Sequence, residues 1–279
     1  RINLFSLPKM TTGEMPRDDG NFLLNVSQRN EILLKNPETQ KFIRPYMGGE
    51  EFINGSKRWC FWINDKNKAE AENFNQIKKR IENVKLFRSK STNKTTNQFA
   101  NKAYRFVEIR KQETDCVFLP ETSSAARQYV PVGYADKEII FSNSIKIIYD
   151  SPLYLIAVLS SRMHNVWIKN IGGRLREDIR YSTEIVYNNF PIINLNKEQI
   201  KKLNDLSTHL LDCRNKFFDK TIAYLYNDET MPNAIREIHK LIDEAVDFIY
   251  SKKSFLNDNE RLACLFELYA EKTLNRKLF

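Results

Sequence analysis

Arg176, Asp178 and Arg180 recur at every second position just beyond the Gly172-Gly173 pair. The surrounding stretch, 161–190, also carries Arg162, Lys169 and Arg174 against Glu177 and Glu184. Side chains alternate along an extended chain, so the three would share one side of it. An arginine fork matches O6 and N7 of guanine, and a carboxylate accepts from N4 of cytosine. The same residues also suit a solvated surface on which Arg and Asp order one another. The two glycines let the backbone turn tightly or approach a ligand closely.

A second cluster is Ser142-Asn143-Ser144, just ahead of an apolar run at 145–149. An asparagine amide can donate to and accept from adenine in one plane, while Asn and Ser are also ordinary turn formers. Arg127 lies among small polar residues in PETSSAARQYVPVGY (120–134), a setting that suits a phosphate or a plain loop. Asp18-Asp19, in a loop punctuated by Gly and Pro, could ligate a cation, although one acidic pair is thin chemistry for that.

Other chemistries are missing from the sequence. It has no Gly-rich phosphate loop, no GxGxxG, no GxSxG and no Cys/His nucleophile pair. No Asn-Pro-Pro-Tyr-type segment of an amino-methyltransferase occurs, and no convincing Asp…Glu-x-Lys nuclease pattern. Cys60, Cys116, Cys213 and Cys264 are scattered, as are His164, His209 and His239, which argues against zinc and fits free thiols in a reducing cytoplasm. No run of 18 apolar residues is present, so no membrane span is expected.

The net charge of +9 is unevenly placed. Residues 1–195 hold 30 Lys/Arg against 21 Asp/Glu, and 196–279 hold 14 of each. A basic front and a neutral tail fit a nucleic-acid-facing domain with a structural appendage, or a basic surface with no partner.

The elements that must position these residues divide at about 192–197. Before it, strands are expected at 22–26, 58–63, 104–109, 116–119, 129–133, 138–141, 144–149 and 180–187. Helices are expected from a Ser27 cap to Lys35, at 68–88 on Phe74, Ile77, Ile81 and Val84, and from Ser151-Pro152 to Asn165. SKSTNKTTNQ (89–98) reads as a mobile loop. Beyond it, Asn196, Asn233 and Asn257 open three apolar-striped helices. The fold class is therefore α+β: a mixed, strand-rich domain over 1–195, then an all-α domain over 196–279.

Several motifs together resemble one family. They are KMTTGEMPRDDG (9–20), RPYMGGEEFINGSKRW (44–59), YVPVGYADKEIIFSNSIKIIYD (129–150), SSRMHNVWIKNIGGRLREDIRYS (160–182) and YNNFPI (187–192). In this order they are similar to the region after the methyltransferase domain of MmeI-like type IIG/IIL restriction–modification enzymes. The likeness runs over 5–195, and the tail matches that family's helical end more loosely.

The resemblance implies a target recognition domain, mixed α/β, that reads double-stranded DNA. It would belong to a longer bifunctional endonuclease and adenine-N6 methyltransferase, as a start at Arg1 also suggests. The chain itself would be non-catalytic and without a cofactor, with S-adenosylmethionine and Mg serving upstream methyltransferase and nuclease domains of the same cytoplasmic polypeptide. Carried over by position, base readout falls to Arg176, Asp178 and Arg180 after the Gly-Gly-Arg-Leu run, and to Asn143 and Ser144. Arg127, Lys57, Arg58 and Arg174 are assigned to the phosphate backbone. Two other readings stand beside this one: a stand-alone DNA-modifying enzyme with an unrecognised site, and a scaffold domain for protein contacts.

Overall fold

A computed structural model describes residues 4–277, with side chains through Leu274. The chain forms two compact units. The first takes residues up to 11, 114–135 and from 146 onward; the second takes 12–113 and 136–145.

The first unit is built on a four-stranded sheet in the order Met10–Thr12, Ile145–Tyr149, Cys116–Pro120, Gly133–Ala135. Cys116–Pro120 is buried along its whole length, as a strand covered on both faces must be. Helix Tyr154–Ser160 packs into the same core, with every residue from Leu155 buried. The expected single helix over 151–165 is instead two. Ser161 turns to an extended conformation and its side chain caps a second helix, Arg162–Ile171. Burial of Trp167 orders that helix further, its indole donating to the Val186 carbonyl at 3.0 Å.

The tail is helical as expected. A reciprocal capping box between Asn196 and Gln199 opens Lys197–Asn215, and Asn233–Tyr250 and Asp258–Lys277 follow. Pro232 rather than Asn233 occupies the cap of the middle helix. These helices have no core apart from the sheet. Leu203, Leu210, Ile238, Ile242 and Leu265 lie in one cluster with Val117, Ile156 and Trp167. Composition changes near residue 195, but the apolar packing runs through.

The second unit has a four-stranded sheet in the order Leu23–Leu24, Arg58–Phe61, Ile43–Met47, Ile140–Phe141. The first three pair antiparallel and the last joins in parallel, Tyr46 opposite Ile140. Helix Asn75–Ser89 covers the core with Ile77, Ile81 and Val84, separate from a one-turn helix, Lys68–Ala71, where one helix was expected. Other expectations fail locally. Asn25, not Ser27, caps helix Val26–Lys35. Residues 94–98 form a short helix capped by Asn93, not a loop. Residues 104–109 make no strand; Glu108 alone bridges to Met15.

Arg88 holds much of this unit together. Its side chain is fully buried, and the guanidinium donates to the carbonyls of Pro16, Arg17, Phe99, Lys102 and Arg105 at 2.8–3.2 Å. Burial pulls its pKa down to about 10, partly offset by the nearby Asp18 charge. The fork's donors thus close two irregular segments that no strand partner would hold. Arg88→Met should destabilise the protein by about 3 kcal/mol or more, since several buried carbonyls lose their donors. Arg88→Lys should recover only part of this, because an ammonium has three donors; urea denaturation of the two variants measures both effects.

Candidate nucleic-acid interface

In the first unit, Gly173–Leu175 and Asp178–Arg180 form an antiparallel hairpin, joined at its inner edge by Thr122–Ser123. The register pairs Gly173 with Arg180, Arg174 with Ile179 and Leu175 with Asp178. Residues directly opposite share a face. One face therefore carries Ile179, buried in the core, and the other carries Leu175, Asp178 and Arg180.

Arg176 does not continue the extended segment that spacing suggested. It lies in the two-residue turn at the hairpin tip with φ at 57°, the left-handed region that suits glycine. Arg176 and Glu177 are exposed, and Asp178 is half-buried. The three expected readers thus stay together, one at the tip and two on the outward face.

The glycine pair works differently from expectation. Gly172 caps the preceding helix, its N–H donating to the Ile168 carbonyl at 2.8 Å. A Cβ there would sit 2.5 Å from that same oxygen. Gly173 has room, with its nearest neighbour at 4.0 Å. The tight turn falls at Arg176–Glu177 instead.

Charge on the hairpin is partly committed. Arg180 donates to Glu121 at 3.1 Å, and Lys146 lies 3.5 Å from the same carboxylate oxygen. Glu121 was not singled out in the sequence, because 59 residues separate it from Arg180 and only the Thr122 strand brings it there. Arg174 is exposed and donates to the Lys169 carbonyl at 3.1 Å. Arg127 is half-buried, 3.4 Å from Ser123 Oγ. Burial lowers its pKa, and the Asp178 charge opposes that shift.

The second unit carries the other set. Ser142 and Ser144 join hydroxyls at 2.7 Å, and Ser144 Oγ accepts from Gly49 N–H at 2.9 Å. Gly48 caps helix Gly49–Asn54, and its N–H donates to Glu51 at 2.7 Å. Glu51 also pairs with Arg58 at 2.6 Å, and the guanidinium lies 5.3 Å from the Tyr46 ring centre. Ser144 and Arg58 are therefore engaged in holding the 48–58 segment, while Asn143 and Lys57 are exposed. Asp18 and Asp19 do not act as a pair: Asp18 is buried and accepts from Phe22 N–H at 2.5 Å, and Asp19 is exposed. Among the described residues no group of three His, Cys, Asp or Glu side chains is arranged to hold a metal ion.

Glu14 underlies the Asn143 turn. Its N–H donates to the Phe141 carbonyl at 2.7 Å, and it bridges to Ser142. Its carboxylate is buried. One oxygen accepts from Arg110 N–H, and the other has no hydrogen-bond partner among the described residues. Burial raises its pKa to about 7, against the opposing pull of Arg110 and Lys111.

Such geometry defines a mixed α/β module that offers charged side chains on an outward hairpin and a capped turn, continuous with a helical tail. The family model for the MmeI target recognition domain matches residues 1–194, and that for the MmeI C-terminal domain matches 194–279; the chain belongs to this family. It is 37% identical over 267 residues to "DNA methyltransferase A" of Bacillus subtilis (strain 168), covering 96% of this chain and 30% of that protein. It is also similar to the solved structure of the type IIL restriction–modification enzyme MmeI in complex with DNA. There the TM-score is 0.93 and the identity 37%, over 97% of this chain and 36% of that one. The chain thus spans about a third of the length of the relatives it matches. Among the described residues no helix is long and apolar enough to cross a membrane.

Two measurements test this local picture. Gly172→Ala should cost about 1–3 kcal/mol by forcing a methyl against the Ile168 carbonyl, whereas Gly173→Ala should stay within about 0.5 kcal/mol. For Glu14, the folded pKa lies above the unfolded one. The stability gained by holding its proton is thus complete below about pH 4.5 and lost as pH rises through about 7. Melting temperatures across pH 5–8 should therefore fall more steeply for the native protein than for Glu14→Gln.

Proposed function

We propose that residues 1–195 read a specific sequence in double-stranded DNA, and that 196–279 brace the reading domain. The complete polypeptide would be a cytoplasmic restriction endonuclease and adenine-N6 methyltransferase. The observation that carries this reading is the hairpin: Asp178 and Arg180 on one outward face, Arg176 at its tip and Ile179 locked inward. Membership of the target recognition family and the basic front half support it.

The mechanism has two layers. Cationic side chains neutralise phosphates and fix the register of the duplex, and a few polar side chains choose the bases. Arg176 would take guanine O6 and N7, and Asp178 would accept from the paired cytosine amino group. Arg180 adds a second guanidinium on the same face. Asn143, exposed at its turn, would read a further base, with Ser144 setting the turn as well as facing the groove. Arg127, Lys57, Arg58 and Arg174 would meet the backbone. The chain's own residues bind and orient DNA; S-adenosylmethionine and Mg would serve the methyltransferase and nuclease portions of the longer polypeptide. The target base would be flipped out of the stack there.

Methylome sequencing of cells expressing the complete polypeptide reports the target directly. Arg176→Ala should relax the methylated sequence at one position and leave the others intact. Lys57→Ala or Arg127→Ala should instead weaken duplex binding about equally on all sequences, and lower the slope of log affinity against log salt by about one. An unchanged methylated sequence in Arg176→Ala, or duplex binding insensitive to salt, would overturn the assignment.

A further inference from the structure

One apolar side chain stands where the pattern calls for a polar one. Leu175 is 52% exposed, while Ile179 on the opposite face is 2% exposed. The hairpin thus has a distinct inner and outer surface, and Leu175 is on the outer one, directly across from Asp178. Arg174 and Arg176 flank it in sequence, both exposed. Packing does not require leucine there, because it is absent from the core clusters and from the partly buried side chains around them. Solubility would favour any polar residue.

We propose that Leu175 is a further specificity-determining residue, which recognises the C5-methyl group of a thymine. The inference rests on the DNA-reading role proposed above for this hairpin. Cross-strand neighbours on one face lie about 4.5–5.5 Å apart, more than one base-pair rise of about 3.4 Å and less than two. With Asp178 at the edge of one base pair, Leu175 meets the edge of an adjacent one. The only apolar feature presented at a base edge in the major groove is the thymine methyl. Arg176 at the adjoining tip and Arg180 on the same outward face would hold the hairpin against the duplex, close enough for that single methyl to be enclosed. The turn geometry supports this placement, since Arg176 at positive φ ends the strand immediately after Leu175 and keeps it near the hairpin tip.

The test uses the complete polypeptide and its own target duplex, identified from the methylome. Each thymine in turn, on either strand, is replaced by deoxyuridine, which lacks only the methyl group. One replacement should weaken binding by the native protein about fourfold, the worth of one buried methyl. Leu175→Ala should show about the same loss on the unmodified duplex and no further loss on that deoxyuridine duplex. Leu175→Met, which keeps an apolar side chain, should retain most of the discrimination. Unchanged melting temperatures will show that the variants fold, as an exposed position allows.

The proposal is overturned if Leu175→Ala binds and discriminates like the native protein, or if no deoxyuridine position becomes silent in it. It is equally overturned if Leu175→Ala instead abolishes a 2-aminopurine unstacking signal, which would make the side chain a wedge between base steps. If the native protein binds no duplex sequence-specifically, the DNA-reading role itself has failed; specific binding with no Leu175 effect sinks only the present inference.

Discussion

Burial of Ile179 is the constraint on which the hairpin depends. A strand side chain alternates with strict period two, so anchoring Ile179 in the main core forces Asp178 and Arg180 to the opposite face. A slip of one residue would drive a carboxylate and a guanidinium into a cluster made of Val117, Trp167 and Phe190, at a cost of several kcal/mol. Orientation of the outward residues is therefore fixed by a residue that does not face outward. Their identities can change without loss of register, since none of them packs inward.

The core that holds Ile179 is assembled from distant parts of the chain. Tyr129 donates to Asp243 at 2.6 Å, and the other oxygen of that carboxylate accepts from Arg162 N–H at the start of its helix. Burial raises the pKa of Asp243 to about 6 despite those two donors. Asp258 then takes the Arg162 guanidinium through three hydrogen bonds, at 2.7–3.1 Å. The tail helices thus grip the helix that leads directly into the hairpin. Bracing is a physical consequence of that arrangement: a hairpin on a helix tied at its N-terminus by a half-buried carboxylate and a bidentate ion pair has little freedom to reorient.

Much of this architecture was legible in the sequence, and the failures have identifiable causes. Apolar periodicity located the tail helices and the strand at 145–149, because long amphipathic patterns are strongly determined. The short helix at 94–98 escaped notice since it is held by the Asn93 cap and by Asn97 donating to the Ser89 carbonyl, not by an apolar stripe. Residues 104–109 read as a strand because Tyr104, Phe106 and Val107 are apolar; they are buried, but carbonyls nearby are satisfied by Arg88 instead of a ladder. The interleaving of two units could not be read at all. Nothing local in Ile140–Phe141 announces parallel pairing with Tyr46–Met47, almost a hundred residues earlier. For the site, types and spacing singled out the segment that folds as the hairpin, while the positive φ at Arg176 and the Glu121 partner of Arg180 are tertiary facts.

That Glu121 contact sets an energetic condition on the base readout proposed for Arg180. For Arg180 to take a guanine edge, its guanidinium must share or leave the Glu121 carboxylate. The arginine side of the pair is more than half exposed, so water screens the attraction, and such a pair contributes about 1 kcal/mol or less. A bidentate guanine contact discriminates by about 1–3 kcal/mol, enough to outweigh that loss. Lys146, buried and also close to Glu121, remains to neutralise the carboxylate once Arg180 has moved. Glu121 can therefore hold Arg180 in an outward, preorganised position without binding it so tightly that a base could not compete.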